Sequence, residues 1–167
     1  MKTTIKPLLS LAVLAAACFV STGCGNRTPD PTSDDVKSLV VQIADGHYRD
    51  QVAAYAYQSL TGVPTGVIGL KVDYAWLKKN SKESEKVKKV LAVVDETMNG
   101  ANISVVNIRT DKVEKEVGKI FCSADLKFGD QSSPISFTAQ YTDGGDLYVE
   151  VFGDRKSTRL NSSHRIR

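Results

Sequence analysis

From Val36 onward, apolar positions first recur at helical spacing. Val36, Leu39, Val40 and Ile43 share one helical face, and Thr32 or Ser33 supplies a cap, with Asp34 and Asp35 in the first turn. Asp45-Gly46 interrupts the pattern. It resumes through Val52, Tyr55, Ala56 and Leu60 and reaches Thr61-Gly62-Val63-Pro64. This predicts one kinked helix or two helices, ending at that glycine and proline. The stretch from Val67 to Trp76 fits a strand or the approach to a helix. Asn80 and Glu83 form a capping-box pattern ahead of a stripe of Val87, Val90, Leu91, Val94 and Met98, which Asn99-Gly100 stops.

After Gly100 the period changes to two. Ile103 and Val105 begin a strand whose register shifts at Val106 and Ile108, and Thr110-Asp111-Lys112 is expected to turn it. In Ile120, Cys122, Ala124, Leu126 and Phe128 every second residue is apolar, while Ser123, Asp125 and Lys127 between them are polar. One face is therefore buried and the other wet. Gly118 offsets this phase from Val113 and Val117, as a bulge would. Ile135, Phe137, Ala139 and Tyr141 repeat the alternation, and Leu147, Val149 and Val151 repeat it again. The turns expected at Gly129 to Pro134 and at Thr142 to Asp146 favour an antiparallel meander. The resulting expectation is an α+β domain over 34–153, with N-terminal helices packed on one face of a C-terminal antiparallel β-meander of about four strands.

The ends of the chain change how its charge is interpreted. Lys2 and Lys6 precede an apolar run of 13 residues, Leu8 to Val20, broken only by Ser10. That length suits the hydrophobic region of an export signal and falls short of the ~20 residues that span a bilayer. At the other end, Asp154-Arg155-Lys156-Ser157-Thr158-Arg159-Leu160-Asn161-Ser162-Ser163-His164 is polar, basic and without a core pattern. The string resembles the in-frame translation of a short-read sequencing adapter, which implies that 154–167 are a non-native tail. The whole chain carries 22 Lys and Arg against 19 Asp and Glu, yet Cys24 to Gly153 holds 15 bases against 18 acids, a net of −3. The basic balance thus belongs to the two ends. A mildly acidic domain gives no electrostatic reason to expect nucleic acid.

Ser21-Thr22-Gly23-Cys24 follows the apolar run directly. Small residues let a peptidase approach the backbone, and the thiol is the nucleophile that becomes alkylated. The arrangement resembles the lipobox of bacterial lipoproteins, with Ser21 where that pattern prefers Leu. The resemblance implies a signal peptide over 1–23, cleavage between Gly23 and Cys24, and diacylglyceryl lipid on Cys24. Two or more acyl chains hold a protein durably. Gly25 as the second mature residue implies, by the sorting rule of enteric bacteria, the outer membrane, facing the periplasm. Gly25 to Ser33, with two prolines among small polar residues, is expected to be a flexible tether over 24–33, at most about 30 Å long. With Cys18 in the signal and Cys24 lipidated, Cys122 stands alone, so ordinary packing must hold the domain. By element order and final meander, Asp34 to Gly153 is also somewhat similar to small lipoproteins with a nuclear-transport-factor-two-like or cystatin-like domain. That resemblance implies a curved sheet around helices, sometimes with a pocket, and no shared reaction.

Candidate chemistry is sparse. His47, between Asp45 and Asp50, is the one histidine outside the tail, whereas metal and acid–base sites recruit several converging groups. Lys78, Lys79, Lys82, Lys86, Lys88 and Lys89 cluster and could touch anionic headgroups near the anchor, but interleaved Glu83 and Glu85 make the solvated face of an amphipathic helix the simplest reading. Asp143-Gly144-Gly145-Asp146 offers two carboxylates, too few for a calcium loop, and suits a hairpin turn. Cys122 lies in the apolar phase of its strand, hence buried and inert. Gly62, Gly66 and Gly69 lack the Gly-Lys-Ser/Thr ending of a phosphate loop, and no Gly-x-Ser-x-Gly elbow occurs. Tyr48, Tyr55, Tyr57, Tyr74 and Trp76 could line a groove, although aromatics at these spacings are more often core; Tyr55 and Trp76 are the candidates for a ligand pocket. The sequence therefore predicts a membrane-anchored envelope lipoprotein, without enzymatic activity or cofactor, whose partners are membrane lipid through Cys24 and an envelope protein. The alternative is a periplasmic small-ligand carrier with a cavity between helices and sheet.

Overall fold

A computed structural model describes residues 27–66, 71–153 and the strand 162–165. The architecture is α+β, with three N-terminal helices packed against an antiparallel sheet. Helix α1 (Asp34–Thr61) starts at Ser33, whose hydroxyl accepts from the Val36 N–H, and stops at Gly62 in the left-handed region. It is one continuous helix, so Asp45-Gly46 breaks nothing. Ile43 and Ala44 before the glycine and Ala53 after it are all buried, and that burial outweighs the ~1 kcal/mol helix penalty of a single glycine. Two short helices follow, α2 (Tyr74–Asn80) and α3 (Glu85–Gly100). The expected capping box does not form. Ser84 caps α3, accepting from the Val87 N–H, whereas the Asn80 amide donates to the Trp76 carbonyl and Glu83 lies in the intervening turn. Asp73 caps α2, which resolves Val67 to Trp76 at its second half in favour of a helix approach; 67–70 lie outside the described residues.

The strands β1 (Ile103–Glu114), β2 (Lys119–Phe128), β3 (Gln131–Tyr141) and β4 (Leu147–Gly153) pair in sequence order as a meander. The expected register shift in β1 falls between Val106 and Arg109, where Asn107 takes a positive φ of 53° and its amide donates to Asp125. Thr110-Asp111-Lys112 does not turn the chain. A second irregularity skips Asp111 between the pairs Thr110–Cys122 and Lys112–Phe121, and β1 continues to Glu114. Gly118 is accordingly part of the reversal before Lys119, at φ 61°, and is no bulge; Val113 and Val117, near this hairpin tip, are exposed. The next reversal is also tighter than expected. Gly129-Asp130 alone joins β2 to β3, and Ser132 to Pro134 are paired strand residues opposite Lys127 to Asp125. Thr142 to Asp146 forms the expected turn, with the Thr142 N–H on the Asp146 carbonyl and the Gly145 N–H on the Thr142 carbonyl, both 2.8 Å. A fifth strand, β5 (Ser162–Arg165), pairs antiparallel with β4 at Tyr148 to Val151, in a segment whose composition predicted no element.

Alternation along β2 to β4 builds one continuous apolar face. Its registers set small side chains beside large ones: Ile120 faces Ala139, Cys122 faces Phe137 and Ala124 faces Ile135. The first half of α1, with Val36, Leu39, Val40, Ile43 and Ala44, seals this face. The second half of α1 belongs to another core, in which Ala53 and Ala56 meet Leu77 of α2 and Val87, Val90, Val94 and Met98 of α3. Tyr48 and Ile103 pack against both cores. Thus α1 covers the sheet with one half and carries the helical pair with the other.

The segment ahead of α1 is more ordered than a free tether. Pro29 is buried, Arg27 lies over the Tyr141 ring at 5.7 Å, and the Asp30 carboxylate accepts from the N–H and hydroxyl of Thr32 at 2.8 Å each. Proline has no N–H to leave unsatisfied, so it is buried here at little polar cost.

Candidate functional site

The densest polar cluster among the described residues lies where α1, α2 and α3 meet. Arg49 donates from Nε to Asp45 at 2.7 Å, one helical turn away, and approaches Asp95 of α3 at 3.5 Å. The Tyr74 hydroxyl donates to the same Asp95 carboxylate at 2.6 Å, and its backbone N–H donates to Asp50 at 3.0 Å. The Arg49 guanidinium also lies over the Tyr74 ring at 5.3 Å. The hydrogen bond to Asp45 raises the Arg49 pKa, and the hydrogen bond to Asp95, then burial, raise that of Tyr74. Both groups therefore hold their protons more firmly at neutral pH. The arrangement clamps three helices together.

Beside this clamp, α1 and the start of β1 border an open depression of about 830 Å³, lined by Ser38, Gln42, Asp45, Asn102, Ile103 and Ser104 among others. Its wall mixes these polar groups with Val41, Ala101 and Ile103. Between α1 and the sheet face, Leu39, Val40, Ile43, Leu126 and Phe137 are essentially inaccessible to solvent.

The sequence candidates are placed as follows. Tyr55 and Trp76 are not brought together: Tyr55 is 75% exposed, and Tyr57 meets Trp76 edge-on at 5.4 Å. On a helix, residues two apart point in nearly opposite directions, so only one of the two tyrosines can face α2. His47 is half-buried, touches Gln51 through Nε2 and lies edge-on to Tyr48. Burial, opposed by Asp50, lowers its pKa. Cys122 is buried, and burial raises its pKa, so the thiol stays protonated. Among the described residues no three His, Cys, Asp or Glu side chains are grouped to hold a metal ion, and no helix is long and apolar enough to cross a membrane. Gly62 ends α1 and Gly66 has a φ of 86°. Gly23, Cys24 and Gly69 lie outside the described residues. The clamp itself escaped sequence reading. The one sign of it was the charged pair Asp45 and Arg49 at i, i+4 spacing, because Tyr74 and Asp95 join it from other helices.

Comparisons with protein-family models, with curated proteins and with solved structures found no match.

Proposed function

We propose that the protein is a lipid-anchored lipoprotein of the bacterial cell envelope whose α+β domain acts without catalysis, as a protein-binding or structural module. The observation that carries this reading is Ser21-Thr22-Gly23-Cys24 placed directly behind a 13-residue apolar run. An uncharged segment of that length is an export signal in physical terms, and a cysteine at its end is the group that accepts diacylglycerol. Gly25 after the cysteine favours the outer membrane, with the domain in the periplasm.

The domain's properties agree with a module that presents surface. Its charged cluster joins three helices, its thiol is buried and the side chains between α1 and the sheet are inaccessible to solvent. A carrier role could use the open depression beside Asp45, whose wall mixes Val41, Ala101 and Ile103 with polar side chains. Strand addition offers a route to a protein partner: β1 forms an edge of the sheet, and sheet edges are templates for further pairing.

Metabolic labelling with a fatty-acid analogue tests the anchor. Wild-type protein should take up label and sediment with membranes, whereas Cys24→Ala should take up none. Equal labelling of the two chains would refute the lipoprotein reading. Capture of the lipidated protein from membranes then tests for a protein partner.

A further inference from the structure

The stretch 78–89 contains six lysines, Lys78, Lys79, Lys82, Lys86, Lys88 and Lys89, against Glu83 and Glu85, a net of +4. The rest of Cys24 to Gly153 is net −7, so this stretch is a basic segment of an otherwise acidic domain. All six lysines are exposed, and they gather at one corner: the end of α2, the 81–84 turn and the start of α3. Lys88 pairs with Glu85 at 3.6 Å and Lys78 lies over the Tyr74 ring, while Lys79, Lys82, Lys86 and Lys89 have no carboxylate partner among the described residues.

Folding does not explain where these charges lie. Lys86 lies in the first turn of α3, next to the positive end of its dipole, where a cation is unfavourable, and Lys88 and Lys89 follow in the second. Lys86 has no carboxylate among the described residues to offset that position, which points to a use outside the fold.

The chemistry narrows that use. No arginine lies within 78–89, and Arg49, which shares the Tyr74 ring with Lys78, is held by Asp45 and Asp95, so the corner offers no free planar fork to read a shaped acidic site. Lysines are point charges on flexible stems and suit a diffuse anionic layer. The apolar stripe of α3 is buried against α1 and α2, so contact would be electrostatic and at headgroup depth. Reach also fits. Arg27, three residues beyond Cys24, already lies over the Tyr141 ring, and the helical core lies near Ala53 and Ala56, about 30 Å along α1 from its start. A body hung on so short a link experiences the surface of its own membrane at high effective concentration.

We propose that this basic corner docks on anionic lipid headgroups of the membrane that holds Cys24, laying α1 along the bilayer surface; the proposal rests on the lipid anchor argued above. Trp76, the single tryptophan, is in α2 two residues before Lys78 and serves as a built-in reporter. Full-length lipidated protein is reconstituted into vesicles of phosphatidylcholine, with or without phosphatidylglycerol, carrying a trace of dansyl-headgroup lipid. Energy transfer from Trp76 should be roughly twofold higher with phosphatidylglycerol, and about 0.5 M salt should return it to the neutral-vesicle level. The charge-reversed K82E/K86E/K89E chain, its fold verified by circular dichroism, should show the neutral-vesicle level throughout. Flotation of the same samples reports the anchor separately. Protein that floats but transfers equally in both vesicle types overturns the docking and leaves the anchor standing; protein that does not float overturns the anchor. Retention of labelled polyglutamate on neutral vesicles, with no response to phosphatidylglycerol, would assign the corner to a soluble acidic polymer and overturn the lipid assignment.

Discussion

Gly46 and His47 occupy adjacent positions in the middle of α1 and make opposite predictions. Gly46 is exposed, and a Cβ added there would meet nothing within 4 Å. Nothing in the fold requires the glycine, so Gly46→Ala should stabilise the protein by about 0.5–1 kcal/mol, read as a higher urea midpoint. A loss of stability would mean that α1 needs flexibility at this point. At His47, burial holds the imidazole below its ordinary pKa of 6.5, against the pull of Asp50. The unfolded chain takes up a proton near pH 6.5 that the folded chain resists, so stability should fall as the pH drops below about 6.5. His47→Gln removes this difference. Its urea midpoint should therefore fall less than that of the wild type between about pH 7.5 and pH 5.5; equal falls would assign the effect to another group.

Among the elements, α3 shows best how local pattern and tertiary context divide the work. Its apolar stripe was fully legible, because Val87, Val90, Val94 and Met98 must share one face at 3.6 residues per turn and all four are buried. Its start was not. Asn80-x-x-Glu83 and the observed start at Ser84 are both plausible caps, and the choice depended on α2 ending at Asn80, a helix too short to announce itself in periodicity. Ser84→Ala should therefore cost about 1 kcal/mol, while Glu83→Ala should stay within about 0.5 kcal/mol of wild type, by chemical denaturation. The reverse ranking would restore the capping box. The β1–β2 hairpin repeats the lesson. Thr110-Asp111-Lys112 has turn composition, yet a strand absorbs one extra polar residue by leaving it unpaired, and Asp111 then accepts from the Ser123 hydroxyl.

At the scale of the molecule, one helix belongs to two cores. The first half of α1 closes the sheet, the second half carries α2 and α3, and Tyr48 and Ile103 bridge the two. A shared backbone and shared side chains couple them, so the domain should unfold in a single transition. Leu77→Ala in the helical core and Phe137→Ala in the sheet core should each cost about 2–5 kcal/mol. In both variants Trp76 fluorescence and far-ultraviolet circular dichroism should report the same midpoint. A separate, earlier fluorescence transition in Leu77→Ala would show the helical core melting alone.

The sequence by itself determined the class of the fold, the inward residues of α3 and of β2 to β4, and the meander order, because alternation and helical spacing follow from backbone geometry whatever surrounds them. It also carried the whole case for the anchor, which is a short linear signal. The tertiary structure decided the rest. It kept α1 continuous through Gly46, set Tyr57 rather than Tyr55 against Trp76, and joined Arg49, Tyr74 and Asp95 from three helices. Each of these depends on which surfaces meet, a long-range choice made by burial of apolar area, and no local pattern along the chain encodes it.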